Sequence, residues 1–350
     1  MTVTGIQLQE ANSGGVVAPL GQEFKQAYFS EHPTLNGMQT INITSDVANL
    51  FAGNAELIGE LETAQANADN SFFAVVYLVA PLALTDLLVG GYIADLAATY
   101  EVATLLFVTN ADAAFAAAVN TELAAQAAQK RYFEAVLKFR KAGADTPSAY
   151  ATAFNTAFSA FSSSSVSIIA PTTQDNWLGA FGGRLARIRV QASAGKVLDG
   201  GLKNVLTDPA YGQSEFTVLD DARAVFLKRF VEDPSSVFVN DDLVMYSTSD
   251  TVTTMAQRRV LNKAKREILF YAFPLINDDK FNKDESGAMA ASQIASKGLE
   301  VMKKPVPGKN REIHDYSLST SWVTGGVAIA FTLIDVNRIK IVDTTIELTI

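Results

Sequence analysis

Apolar and polar positions change their spacing several times along this chain, and each change marks an element. Residues 1–22 carry β-forming side chains at Val3, Ile6 and Leu8, but Gly14-Gly15 and Pro19 interrupt them, so the stretch predicts an extended N-terminal arm. Phe72–Ala80 is a continuous apolar run closed by Pro81, the pattern of a strand buried on both faces. Thr85 then offers a helix cap, and Leu87, Leu88, Ile93, Leu96 and Ala97 recur at helical spacing. Thr104–Thr109 is the next apolar run. Two such strands joined by a helix predict a βαβ unit and a parallel sheet. The alanine-rich stretch Ala111–Ala128 reads as a helix that continues through Arg131–Arg140 and stops at Gly143 and Pro147.

Ser162–Ser165 is a polar break and the expected domain boundary; Val166–Ala170, closed by Pro171, follows as a strand. Arg187–Val190 alternates like a further strand. Met255–Phe270 is amphipathic, with Val260, Leu261, Ala264, Ile268 and Leu269 on its apolar side. Arg258, Arg259, Lys263, Lys265 and Arg266 supply a basic side, and Pro274 ends the helix. Gly287–Met302 predicts another helix, followed by a loop at Pro305, Pro307 and Gly308. Beyond it the spacing is that of strands: Tyr316–Trp322, Gly326–Ile334 and Arg338–Ile350. The last sets Ile346, Leu348 and Ile350 against Thr345, Glu347 and Thr349. The expected fold is α+β, with mixed sheets flanked by helices in two domains, 23–165 and 166–336. Extended β-arms are expected at 1–22 and 337–350.

At 350 residues, 48% hydrophobic and 19% charged, the chain is long enough for two cores and too apolar for global disorder. It has no cysteine, which removes disulfides, thiolate metal sites and a cysteine nucleophile. Met1–Leu20 has neither the basic start nor the apolar core of a secretory leader. The run Phe72–Leu84 is too short to span a bilayer, and no membrane insertion is expected. The net charge of −9 is unevenly placed, because Lys25 is the sole basic residue before Lys130. An acidic half of this kind repels nucleic acid, so no direct nucleic-acid contact is expected.

Little in the sequence carries chemistry. Its two histidines, His32 and His314, exclude any site that needs several of them and read as surface residues. Gly195-Lys196 resembles a phosphate loop but has Val190 where a glycine belongs and Val197 where a hydroxyl belongs. The glycines 179, 182 and 183 lack dinucleotide-binding spacing. Asp278, Asp279, Asp284 and Glu285 read as a solvated loop, and Asn42-Ile43-Thr44 as a chance glycosylation triplet. No catalytic, cofactor-binding or metal-binding residue is assigned, and no cofactor is expected.

From Val166 onward the features follow a distinct order, with VSIIAP at 166–171, then Asp175, Leu178-Gly179 and Gly183-Arg184-Leu185-Ala186 with the RIRV strand. Next come Lys196-Val197-Leu198-Asp199-Gly200 and a helix with Leu219-Asp220-Asp221-Ala222-Arg223. Asp242–Tyr246 as a strand, Ser249-Asp250, and the helix Arg259–Arg266 (RVLNKAKR) complete it. This order resembles the tail-sheath family of contractile phages, in a branch with short sheaths. Residues 23–165 match less well, as a variable outer domain.

The resemblance implies a structural subunit and not an enzyme. Such subunits stack as six-fold rings in a helix around a tail tube and join a baseplate and a tail terminator. They are built in the host bacterial cytoplasm and end on the virion or injection-particle tail. Val3, Ile6 and Leu8, with Ile346, Leu348 and Ile350, are the candidate inter-subunit arms. Of the five basic residues of Met255–Phe270, two or three read as a solvated face, and some of the five are expected to pair with carboxylates of a neighbouring subunit or tube. The acidic first domain is expected to face outward. A nucleotide-using α/β enzyme of a mobile element, or a tube or terminator protein, are the rival readings.

Overall fold

The computed structural model describes residues 21–70, 72–143, 145–173, 176–275, 284–304, 311–323, 326–335 and 341–349. Val3, Ile6, Leu8 and Ile350 therefore lie outside the described residues, as do Asp278 and Asp279.

The fold is α+β with mixed sheets. Its first sheet takes β1 (Gln26–Glu31), β2 (Gly37–Asn42), β3 (Phe73–Val79), β4 (Thr104–Asn110), β5 (Glu134–Lys138) and β6 (Val166–Ile169), in the order β2-β3-β1-β4-β5-β6. All neighbours are parallel except β2, an antiparallel edge strand on β3. Helices α1 (Val47–Leu50), α2 (Ala55–Asn67), α3 (Val89–Thr99), α4 (Ala113–Ala128) and α5 (Pro147–Phe158) connect its strands. Parallel strands covered on both faces read as unbroken apolar runs, and β3, β4 and β5 are buried along nearly their whole length. Phe29 stacks between Tyr77 and Phe107, tying three adjacent strands together on one face.

The structure departs from the sequence expectations in four places here. Residues 131–140 are not a helical continuation, because α4 ends in a Schellman turn and the chain re-enters the sheet as β5. Lys130 takes φ +66°, its N–H reaches Ala127 and the N–H of Arg131 reaches Gln126. The helix expected from Thr85 begins only at Val89; residues 81–88 form a turn that leaves Leu87 exposed. Arg187–Val190 is no strand but the end of helix α6 (Trp177–Arg187) and the turn after it. Finally, Val166–Ile169, expected to open a second domain, is the edge strand of the first sheet. The main apolar core draws residues from both sides of residue 165, from Ala27 to Met255.

After α6 come α7 (Gln213–Asp221), a hairpin of β7 (Leu227–Phe230) and β8 (Asp233–Val239), and α8 (Met255–Ala272). Helix α9 (Glu285–Lys303) and strands β9 (Ile313–Val323), β10 (Gly326–Asp335) and β11 (Ile341–Thr349) complete the chain. A second core forms here. Val327, Ile329, Phe331 and Leu333 alternate along β10 and meet the small residues Ala288, Ala291 and Ala295 of α9, with α8 behind. The strand expected to be a free C-terminal arm is here the third strand of the chain's own sheet. β11 pairs antiparallel with β10, placing Ile346 opposite Ile329 and Leu348 opposite Val327.

Candidate functional site

Helix α8 was the expected charged assembly surface, and its geometry differs from that expectation. Backbone carbonyls in the segments that lead into the amino ends of β1, β5 and β6 accept from side chains of α8. Arg258 donates from Nε to the Ser164 carbonyl at 2.5 Å, just before β6. Arg266 donates to the Tyr132 carbonyl at 3.0 Å, just before β5. Arg259 is buried and donates from one Nη to the carbonyls of Leu185, Glu23 and Ile188 at 2.9, 3.3 and 3.4 Å. Lys263 bridges Glu23 and Glu312 at 2.7 and 2.8 Å, and Lys265 lies over the Tyr132 ring at 5.1 Å. Asn262 donates to Glu134, whose other oxygen accepts from Thr104.

None of the five basic side chains is exposed. Burial lowers the Arg258 guanidinium to about 10, and burial with neighbouring Arg258 and Lys130 lowers Lys265 to about 8. For Lys263 the two carboxylates outweigh burial and hold the ammonium above its ordinary range, while Lys263 holds Glu23 below its own despite burial. These charges act inside the chain, clamping the second core onto the first. Helical periodicity marks which residues share a face but not what covers that face, and here the cover is the chain itself.

The glycines of α6 have a packing role. A Cβ on Gly179 would lie 1.9 Å from the Glu60 carbonyl oxygen, and one on Gly183 2.3 Å from that of Ala64. Gly179 and Gly183 therefore let α6 press backbone to backbone against α2, while Gly182 admits the Tyr28 hydroxyl. The close approach allows Gly179 N–H to donate to Glu60 at 2.6 Å, and Glu60 with Glu56 holds the buried Lys138 at 3.1 and 2.5 Å. Burial opposes the Lys138 charge, and the two carboxylates more than restore it, raising its pKa.

Asp242 anchors the start of α8. It is fully buried and accepts from Ser193 Oγ at 2.7 Å and the Ala256 N–H at 2.9 Å. Burial, reinforced by Asp241, raises its pKa from 3.8 to about 7. A carboxyl whose folded pKa exceeds its unfolded value binds more protons when folded, so its contribution is complete below the unfolded pKa and is lost as pH rises through the folded one. Thermal melts from about pH 4 to 8 should show the parent losing stability relative to Asp242→Asn as pH rises. Parallel pH profiles for the two proteins would remove this role.

The strand order reverses between β1 and β4, where open α/β sheets place their ligands. Here the polar groups at that position serve the backbone. Glu31 accepts from the Leu84 N–H, and Asp112 caps α4 by accepting from Phe115 N–H. His32, expected at the surface, is buried, with Nδ1 accepting from the N–H groups of Thr34 and Leu35. His314 is exposed, as expected. Asp284 caps α9 and Glu285 sits in that helix's first turn. Among the described residues no acidic or histidine cluster is arranged to hold a metal, and no helix is long and apolar enough to cross a membrane. A cavity of about 560 Å³ is lined by Asp220, Asp221, Asp241, Tyr246 and Asp250, away from the strand-order reversal.

A family model described as DUF2586, N-terminal domain, matches residues 27–242, from the first strand to the anchor of α8. The chain belongs to the DUF2586 family. The matched region of this DUF2586 protein crosses residue 165 without a break, as its sheet does. Among curated proteins no sequence matches it. Its fold is that of solved sheath proteins over nearly the full length. The sheath tail protein of Desulfitobacterium hafniense superposes with a TM-score of 0.65 at 10% identity, covering 99% of this chain and 100% of that one. The sheath tail protein of Listeria innocua gives 0.66 at 10% identity, covering 95% and 96%. The contracted helical sheath of the anti-feeding prophage gives 0.58 at 15% identity, covering 100% and 96%.

Proposed function

We propose that this DUF2586 protein is the structural subunit of a contractile tail sheath. It polymerises helically around an inner tube and contracts to drive that tube through a cell envelope. The observation that carries this reading is the end-to-end agreement in fold with sheath proteins, including one from a contracted helical sheath. In this reading the chain is not an enzyme. Its partners are further copies of itself in stacked six-fold rings, the tube, the baseplate and the tail terminator, and it contacts neither nucleic acid nor lipid. Its place is the tail of a virion or injection particle assembled in the host cytoplasm. Residues 23–165 face outward, and the later part of the chain lines the inner side.

A rigid body clamped by α8, ending in a small sheet with two open edges, suits such an array. Among the described residues the outer backbones of β9 and β11 have no strand partner, and an open edge accepts a strand from another chain. Exchange of the terminal segments between neighbours would link the array while the rigid bodies rotate.

Negative-stain microscopy of the purified chain tests the reading: hollow tubules support it, and a small closed oligomer that never forms tubules overturns it. Removing Asp343–Ile350 should leave a folded chain, because the main core draws only on residues 27–255, but tubules should be lost. Tubules at parental yield after this truncation would show that the C-terminal strand has no part in assembly.

A further inference from the structure

The turn at residues 81–88 presents leucines to solvent from a fixed backbone. Leu82 is 87% exposed, Leu87 88%, and Leu88 is half-exposed. The turn is not loose. Leu82 adopts φ +62°, a costly conformation for a residue with a side chain. It is held by backbone bonds from Ala83 to Ala80, Thr85 to Ala83 and Leu88 to Thr85, and Leu84 is buried beneath it with its N–H on Glu31. Within the turn itself Asp86 is exposed beside the leucines, and the sequence has no Lys or Arg between Lys25 and Lys130.

A second surface has the opposite character. Residues 187–203 expose Arg187, Lys196 and Lys203, with Arg189 half-buried, against the single acid Asp199. They also expose Leu198 (90%) and Val197. Arg184 donates to the Gly200 carbonyl, which ties this segment to the end of α6. The carbonyls of Leu185 and Ile188, held by Arg259, fix that end beside the amino ends of the strands. The leucine turn instead follows the carboxyl end of β3. The two surfaces thus sit toward opposite ends of the first sheet.

We infer that the leucine turn of one copy docks on the basic, apolar surface at residues 187–203 of a second copy, head to tail. Like cannot meet like here, since two turns face to face would oppose Asp86 to Asp86. Opposite charge and opposite placement make the contact heterologous, the type that propagates an open helical polymer. Asp86 beside the leucines also disfavours anionic lipid, which leaves a protein surface as the occupant. The inference rests on the sheath reading and assigns it one of its subunit contacts.

The absence of cysteine permits a clean test. Full-length chains carrying Leu87→Cys are mixed with differently tagged chains carrying Leu198→Cys, then oxidised with diamide. Both side chains are exposed, so both variants should fold. Covalent pairs of unlike tag are expected at roughly tenfold or more over a Leu87→Cys with Thr217→Cys control, with yield falling in high salt or with Asp86→Lys. Tubules without the unlike pair overturn the inference and leave the sheath reading intact. Unlike pairs without tubules support the contact and count against the sheath reading. Leu87→Cys linking chiefly to itself overturns the head-to-tail arrangement, and absence of both tubules and pairs overturns both.

Discussion

Arg259→Glu is expected to unfold the chain, not to yield folded subunits that fail to assemble. The guanidinium is buried and holds three backbone carbonyls, from the segment before β1 and from the end of α6. Its charged surroundings are Glu134, Glu23, Asp242 and Arg266, more acidic than basic. A carboxylate in its place would be desolvated beside Glu134 and Glu23 and would leave the carbonyls unpaired. Breaking a buried charged network in this way costs about 3–5 kcal/mol, against a whole-domain stability of about 5–15 kcal/mol. Circular dichroism melts and soluble yield measure it. Lys263→Glu should be milder, because that side chain keeps some contact with water, and Lys196→Glu, fully on the surface, should melt as the parent does. An Arg259→Glu protein that melts at the parental temperature would show that the α8 clamp does not hold the two cores together.

Gly179→Ala is the smallest possible substitution with a comparably large effect. Its new methyl group would lie 1.9 Å from the Glu60 carbonyl oxygen, a backbone atom in a paired helix that has no flexible end to yield. Helices α2 and α6 must separate, which stretches the Gly179–Glu60 hydrogen bond and loosens the Lys138 ion pair behind it. Overpacking of this kind costs about 1–3 kcal/mol, and the upper end applies where both contact partners are backbone. Gly91→Ala is the control. Nothing lies within 4 Å of its new Cβ in α3, so the chain should gain roughly 0.5 kcal/mol from lower unfolded-state entropy. If both variants melt alike, the backbone contact is not the reason for the α6 glycines.

Several elements were legible because their cause is local. Phe73–Val79 and Thr104–Asn110 are strands since continuous apolar runs of that length fit a doubly covered sheet. Helices α8 and α9 fall within two residues of expectation because Thr254 and Asp284 cap them where the periodicity starts. The central strand β1 was not legible. Gln26-Ala-Tyr-Phe-Ser-Glu31 is polar at three positions, and it is buried because Gln26 donates to Gly182 and Tyr28 donates to Gln26. The end of α4 was missed for a related reason: a lysine fills the left-handed position where a glycine would have announced the turn.

By itself, the sequence determined the composition of the parts. The apolar runs, the caps, the missing cysteines, the acidic first third and the scarcity of catalytic side chains all follow from residue identity and spacing. The tertiary structure decided what each charged or small residue faces. The basic row of α8 serves backbone carbonyls, just before strands and in α6, that are more than 70 residues away in sequence, and the α6 glycines serve a helix more than 110 residues away. Leu87 shares the spacing of its helical neighbours yet stays in solvent. Periodicity is a property of one segment, whereas burial and pairing belong to two segments at once. The second segment is supplied only by the folded chain.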